Sequence, residues 1–513
     1  MNWKGYVLAA TIGLTAGTSV YVQAQENGEE NHDRRIDTEL SIDTKHRTTI
    51  GGDRVEYRAQ AGMQPVWNDE GDAIATLQYT YYSRNDIKDA ETRPLLISFN
   101  GGPGSASVWM HIAYTGPKIL NVDDEGYPVQ PYGLKSNPYS VLDVADIVYV
   151  NPVNTGYSRI LPNEDGEMPS KEEQKKMFFG VNADVEYLAE WINTFVSRHN
   201  RWRSPKYLIG ESYGTTRVSG LALALQNQQW MYLNGVILVS PTELGIARDG
   251  VVEAANRLPY FAAAAWHHKK LPDEYQNMEL ESFLEQVETF TLGKLTPALS
   301  RGGFISDKEK QNVIRQMARY SGISETAIAR NNLDVSTWFF WKELLRDEGK
   351  TIGRLDSRYL GIDKQDSGAR PDYNAELSSW LHSFTPAINY YLKNELKFDT
   401  DVKYNMFGPV HPWDRSDNST GENLRAAMAA NPYLNVMIQS GYYDGATNYF
   451  DAKYTMWQLD PSGKMKDRLS FKGYRSGHMM YLRKEDLKTA NEHIREFISA
   501  TIPKEDQPAR YQR

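Results

Sequence analysis

The sequence contains no cysteine. That absence excludes a disulfide framework, a thiolate metal site and a cysteine nucleophile together, so covalent chemistry must come from oxygen or nitrogen. Positive charge is in deficit as well: 57 Lys and Arg face 66 Asp and Glu, for a formal charge of −9. Polynucleotides are bound through a basic footprint, and without one no nucleic-acid partner is expected. No motif for a cofactor is visible, so none is expected, and no run beyond the N-terminus is apolar enough to cross a membrane.

What is present begins with an apolar, small-residue stretch from Tyr6 to Val22, preceded by the single charge of Lys4 and followed by Gln23-Ala24. Residues 1–24 read as a secretory signal peptide, against the rival reading of a short membrane anchor. The mature chain, from about Gln25, is expected in the periplasm or outside the cell, with no membrane association once the signal is removed. Residues 25–45 are polar and acidic and read as a mobile leader.

The remaining length allows a large core, as separate domains or as one core grown by insertion. Arg54 to Tyr82 is rich in β-branched and aromatic residues and broken by Asn68-Asp69-Glu70-Gly71, which reads as a hairpin. Five short apolar runs follow: Leu95 to Phe99, Asp146 to Val150, Tyr207 to Ile209, Val236 to Val239 and Val436 to Ile438. Runs of this kind suit parallel strands buried on both faces. Phe178, Val181, Val185, Leu188, Ile192 and Phe195 recur at helical spacing between the second and third run. The alternation predicts a doubly wound α/β core over 46–245 and 400–502, interrupted by a mainly helical insertion over 246–399 and closed by a helix carrying Leu487, Ala490, Ile494 and Phe497.

Within that core, Lys206 to Ile209 is followed by Gly210-Glu211-Ser212-Tyr213-Gly214 and then a helical stretch. The string itself is short, so its strand-to-helix context carries the inference: a sharp turn that lifts the Ser212 hydroxyl above the sheet. Such a turn belongs to the α/β-hydrolase fold, where the chain order is nucleophile, acid, base. Serine needs a base to take its proton and the base needs a carboxylate to orient it. His478, in a Gly-bounded loop after a strand-like segment, fits the base; His493, inside the C-terminal helix, does not. Asp444 follows the run Val436 to Ile438 and fits the acid, with Asp414 as rival before that strand. Oxyanion donors are expected from the Tyr213 N–H and, in Asn100-Gly101-Gly102-Pro103-Gly104, from the Gly102 N–H.

Five passages in this order resemble the serine carboxypeptidases of the carboxypeptidase Y-like group: Asn100 to Gly104, Asn151-Pro152-Val153-Asn154-Thr155-Gly156-Tyr157-Ser158, Gly210 to Gly214, Gly441-Tyr442-Tyr443-Asp444, and Gly477-His478-Met479. The resemblance covers the core from about Pro94 onward. It implies an α/β-hydrolase fold with a mostly parallel sheet, helices on both faces and a helical cap, and the release of C-terminal amino acids from peptides with a free C-terminus through an acyl-enzyme. It also implies that Asn100 and Glu211 bind the substrate carboxylate. Glu211 would do so as a protonated donor, because two carboxylates in contact must share a proton. The chain departs from the family in placing Tyr114, not Glu, two residues before Gly116-Pro117, and Ser105 where a disulfide Cys is usual. The missing Cys looks more like a bacterial exported member.

Other readings remain at this stage: an esterase, acyltransferase or aminopeptidase on the same core, or a catalytically silent binding protein. Trp338-Phe339-Phe340-Trp341 reads as packed helix core more than as an aromatic subsite. His267-His268 reads as solvated surface, since adjacent residues do not share a helix face.

Overall fold

The computed structural model describes residues 36–503 together with 508, 510 and 511. The expected signal peptide and residues 25–35 of the expected leader lie outside the described residues.

Nine of the ten strands of the main sheet are β1 (Ser41–Ile50), β2 (Asp53–Trp67), β3 (Ala73–Arg84), β4 (Leu95–Phe99), β5 (Asp146–Val150), β6 (Lys206–Glu211), β7 (Gly235–Val239), β8 (Asn435–Gly441) and β9 (Leu469–Tyr474). Their order is β1-β2-β3-β5-β4-β6-β7-β8-β9, and the two-residue strand Arg159–Ile160 pairs with β3. β1, β2, β3 and β5 pair antiparallel in turn, while from β5 to β9 every pairing is parallel. This is the α/β-hydrolase fold that the resemblance implied.

Burial explains why these segments are strands. β4, β5, β6 and β7 are buried at every position. Successive side chains of a strand point to opposite faces. Leu96, Ile147 and Ile237 therefore join one apolar cluster, while Leu95, Val148 and Leu238 join the other. Helices α1 (Val181–Arg198) and α2 (Tyr213–Gln228) cover the second face with Leu188, Ile192, Phe195 and Leu221.

The expected cap over 246–399 divides between two packing groups. Its first part, opened by α3 (Val251–His267), builds a separate core around Phe261, Phe283, Ile314 and Phe340. Its last helix, α4 (Ala375–Tyr390), instead places Trp380, Phe384 and Ile388 in the cluster on the sheet's first face. The C-terminal helix α5 (Lys484–Thr501) packs Leu487, Ala490 and Ile494 into that same face.

Two smaller expectations need correction. The leader was placed through residue 45, but β1 starts at Ser41 and pairs with β2 along its whole length. Its polar composition hides the strand because the side chains on one side of this edge strand are exposed. The His267-His268 pair is not solvated: His267 leans on Tyr443, and His268 Nε2 lies 2.7 Å from the Ser357 carbonyl oxygen. The aromatic run packs as core only in its second half: Phe340 and Trp341 are buried, Phe339 is half-buried and Trp338 is exposed. No described helix is long and apolar enough to cross a membrane.

One ion pair ties α1, α2 and the loop after β4 together. Arg217 of α2 is fully buried and donates through Nε to Asp184 Oδ2 of α1 at 2.7 Å. It also donates to the carbonyl oxygens of Asn100 at 2.6 Å and Pro103 at 3.3 Å. Removing one partner of a buried pair strands the other charge. Arg217→Met should therefore cost about 3–5 kcal/mol, read as a lower midpoint in urea denaturation. A loss below about 1 kcal/mol, the range of an exposed pair, would show that the clamp is not structural.

Candidate active site

β6 ends at Glu211 and α2 begins at Tyr213, so Ser212 alone turns the chain. Its φ and ψ of 58° and −126° are uncommon for a residue with a side chain, a strain of about 1–3 kcal/mol that the surroundings must hold. They do so through hydrogen bonds from Ser212 N to Val239 O and from Thr215 N to Ser212 O, both at 2.9 Å. Steric limits act as well: a Cβ on Gly214 would stand 2.8 Å from Phe99 O. The glycine is required by close packing between the turn and the strand beside it.

Asp444 follows β8 and His478 follows β9, and the structure joins them, with His478 Nδ1 2.7 Å from Asp444 Oδ2. Asp444 is fully buried and also accepts from Ala446 N at 2.8 Å, Thr447 N at 3.1 Å and Thr447 Oγ1 at 2.7 Å. The His478 backbone is pinned at both ends. Its N–H donates to Leu355 O at 2.7 Å, and its carbonyl accepts from Ser240 Oγ at 2.8 Å. Burial disfavours the imidazolium, but the charge and hydrogen bond of Asp444, aided by Glu211, outweigh it and raise the His478 pKa above 6.5. Nε2 lies 3.8 Å from Oε1 of Glu211, the residue before Ser212. An imidazole oriented through Nδ1 leaves Nε2 available as a base on the side of the serine turn.

The rival acid is elsewhere. Asp414 accepts from Ser416 N at 2.9 Å and Ser416 Oγ at 2.7 Å, and its backbone brackets the start of α1 through Phe179 O and Val181 N. His493 is satisfied by the Tyr474 hydroxyl at 2.9 Å.

The loop after β4 lies against the serine turn. A Cβ on Gly101 would be 2.5 Å from Tyr213 N, so the two backbones touch there, with exposed Gly102 next along the loop. Asn100 is held inside it: its Oδ1 accepts from Met110 N at 3.0 Å, and its N–H donates to Ser107 Oγ at 3.2 Å. Ser107 N in turn donates to Asn151 Oδ1 at 2.8 Å, which gives the Asn151 passage a supporting task. Asn100 Nδ2 is buried and makes no hydrogen bond of normal length, although it lies close enough to Glu211 and Tyr481 to favour the charged form of each. A buried donor held this loosely gains from a ligand that accepts from it.

Glu211 is buried, and burial, reinforced by the charge of Asp444, pushes its pKa up to about 7 against the opposing pull of His478 and Tyr481. The Tyr481 hydroxyl donates to Glu211 Oε2. Tyr114, standing at the second-Glu position of the family, stacks on Tyr481 with ring centroids 4.6 Å apart. Its own hydroxyl donates to Gln439 Oε1 at 2.7 Å, so it reaches Glu211 only through Tyr481.

Sequence reasoning missed Thr447, Ser240, Arg217 and Tyr481. Thr447 had a local signal, a hydroxyl three residues after an acid in a turn. The others act across long sequence separations and had none.

The serine carboxypeptidase family model matches residues 58–484. Among curated relatives, serine carboxypeptidase-like 36 of Arabidopsis thaliana is 29% identical over 166 residues, which is 32% of this chain and 31% of that protein. Serine carboxypeptidase-like 16 of the same plant is 30% identical over 188 residues, 35% of this chain and 40% of that protein. The chain thus matches less than half the length of these relatives. Among solved structures, the prohormone-processing carboxypeptidase Kex1(delta)p of Saccharomyces cerevisiae aligns with a TM-score of 0.50 and 14% identity, over 86% of this chain and 91% of that one. At that identity the likeness concerns the fold. The family match spans most of the described core and includes Asn100, Glu211, Ser212, Asp444 and His478, and on it the chain belongs to the serine carboxypeptidase family.

Proposed function

We propose that the protein is a serine-type carboxypeptidase that releases C-terminal amino acids from peptides with a free C-terminus. The observation that carries the reading is the buried Asp444–His478 pair presented at the serine turn beside the buried Asn100 amide, which makes no hydrogen bond of normal length, and an acid, Glu211, whose pKa is close to neutral.

The chemistry runs in two halves. Ser212 Oγ attacks the scissile carbonyl while His478 Nε2 takes its proton, and Asp444 steadies the imidazolium that forms. The N–H groups of Gly102 and Tyr213 receive the developing oxyanion. The intermediate collapses as His478 returns the proton to the leaving amine, freeing the terminal amino acid and leaving an acyl-Ser212. Water then repeats the steps and releases the shortened peptide. Recognition of the free C-terminus falls to Asn100 Nδ2 and to protonated Glu211, each donating to the substrate carboxylate. The insertion caps this site, a reading supported by its contact with the loops that carry His478 and Asp444 through Leu355 O and Arg354 O. Export through the N-terminal 24 residues belongs to the same proposal and rests on the sequence alone.

Ser212→Ala and His478→Ala should each lower kcat on the order of 10⁴ to 10⁶ with an unchanged circular dichroism spectrum. Retention of more than a few per cent of activity would remove the residue from the mechanism. The esterase and aminopeptidase alternatives are separated by amidating the peptide C-terminus, which should suppress turnover only for a carboxypeptidase.

The pH profiles of peptides and esters should diverge. Glu211 binds a carboxylate only while it holds its proton, so peptide KM should rise as pH climbs through about 7. An ester without a carboxylate needs only neutral His478, whose raised pKa means that ester turnover should still be climbing above pH 6.5. Glu211→Gln keeps a donor without a charge and should flatten the peptide KM profile. If peptide and ester rates fall together above neutrality, Glu211 is not the controlling group.

A further inference from the structure

Between the short strand Thr351–Ile352 and Tyr359, the insertion runs directly over the loops that hold the acid and the base. Gly445 N, next to Asp444, donates to Arg354 O at 3.0 Å, and His478 N donates to Leu355 O at 2.7 Å. Leu355 N donates to Glu376 Oε1 of α4 at 2.8 Å, and Ser357 N donates to Tyr443 O at 3.0 Å. Asp356 and Arg358, both buried, pair with each other at 2.6 Å. Every residue from Arg354 to Arg358 thus has its backbone or its side chain engaged.

The Arg354 guanidinium is the exception. The residue is half-buried, and among the described residues its side chain has neither a hydrogen-bond partner nor a carboxylate within ion-pair distance. A guanidinium carries five donors in a planar fork that fits a carboxylate, and it stays charged at all working pH values. Holding one half out of water beside an active site, without a partner, is a cost that a ligand would relieve. Its charge reaches His478 and Glu376 and opposes protonation of both. Glu376 does not neutralise it: the carboxyl is buried and pushed up to about 7, mainly by that burial, and its Oε2 has no partner at all.

We propose that Arg354 is a specificity-determining residue that receives a carboxylate of the substrate, in the first instance the side chain of an Asp or Glu flanking the cleaved bond. Asn100 and Glu211 approach the serine turn from the loop after β4 and the end of β6, and they already provide for a terminal carboxylate. The backbone of Arg354 is bonded instead to the loop after β8, beside the Asp444–His478 pair, and its charge is felt at His478. The assignment rests on the acyl-transfer reading of Ser212 and not on the carboxypeptidase reading in particular.

The test compares matched substrates on wild type, Arg354→Gln, Arg354→Lys and Arg354→Glu. N-acyl dipeptides carry Glu or Gln on either side of the cleaved bond, uncharged dipeptides are supplied as free acids and amides, and N-acyl-Glu and N-acyl-Gln methyl esters complete the set. Wild type should prefer Glu over Gln at one position by roughly 10–100-fold in kcat/KM, the range of a charge-assisted hydrogen bond. Arg354→Gln should abolish that ratio through KM, Arg354→Lys should keep part of it, and Arg354→Glu should favour Lys-containing substrates. If Arg354→Gln instead erases only the discrimination between free acid and amide, the carboxylate is the terminal one and the side-chain assignment fails. Equal losses on every substrate, or no acidic preference in wild type, overturn the proposal. Wild type that cleaves the esters but no free-acid peptide would defeat the carboxypeptidase reading, and the Glu and Gln ester pair would still report on Arg354.

Discussion

The geometry around Ser212 depends on one buried guanidinium. Arg217 sits one turn into the helix that begins at the serine, and its fork joins Asp184 on the neighbouring helix to the carbonyls of Asn100 and Pro103. The serine turn, the loop expected to cradle an oxyanion and the helix that packs beneath them are therefore held by a single side chain. Its plane also lies over the Tyr213 ring, 5.4 Å from the centroid. A charge so placed is stabilised by four hydrogen bonds, two of them to the Asp184 carboxylate, and the arrangement tolerates little movement of any of the backbones that it joins.

From that anchor the site is assembled by loops, each on the end of a different strand. Asp444 and His478 come from adjacent parallel strands, β8 and β9, whose register is fixed over six paired residues. The loops at their ends then need only a few bonds to bring Nδ1 to Oδ2. Thr447 and Ser240 supply two of these, and the insertion supplies another through Leu355 O. The His478 imidazole is thereby held by three separate stretches of chain. That redundancy suits a group whose value depends on angular precision.

How much of this could be read in advance follows from the physics of each element. The runs Leu95–Phe99 and Asp146–Val150 coincide with β4 and β5 because strands buried on both faces leave a continuous apolar signature. β1 escaped because exposure on one side fills it with Asp, Lys and Arg, and such a strand reads like a linker. The turn at Ser212 was legible from a local motif, and the Asp444–His478 contact from chain order within a known topology. Tyr481 was not: it follows His478 closely, but its hydroxyl meets a carboxyl 270 residues earlier in the chain. Arg354 was missed for a related reason, since its position over the site is created by pairing of the insertion with two distant loops. Tyr114 shows an intermediate case, visible as a departure yet interpretable only once Tyr481 was seen to stand between it and Glu211. With a phenol in that place, burial rather than a second carboxyl is the main cause that raises the Glu211 pKa.

Glu211 and Ser212 are consecutive residues, so the backbone spaces their Cα atoms about 3.8 Å apart. A substrate chain has the same spacing. On the proposed reading, a peptide whose end is gripped at Glu211 offers to Ser212 the carbonyl one residue inward. The chain would then contain a gauge one residue long, its two Cα atoms spaced by a single peptide unit and its side chains aimed by the folded turn. Products would form a ladder that shortens by single residues, and an internal bond of a long peptide would find no way to align with both marks of the gauge at once.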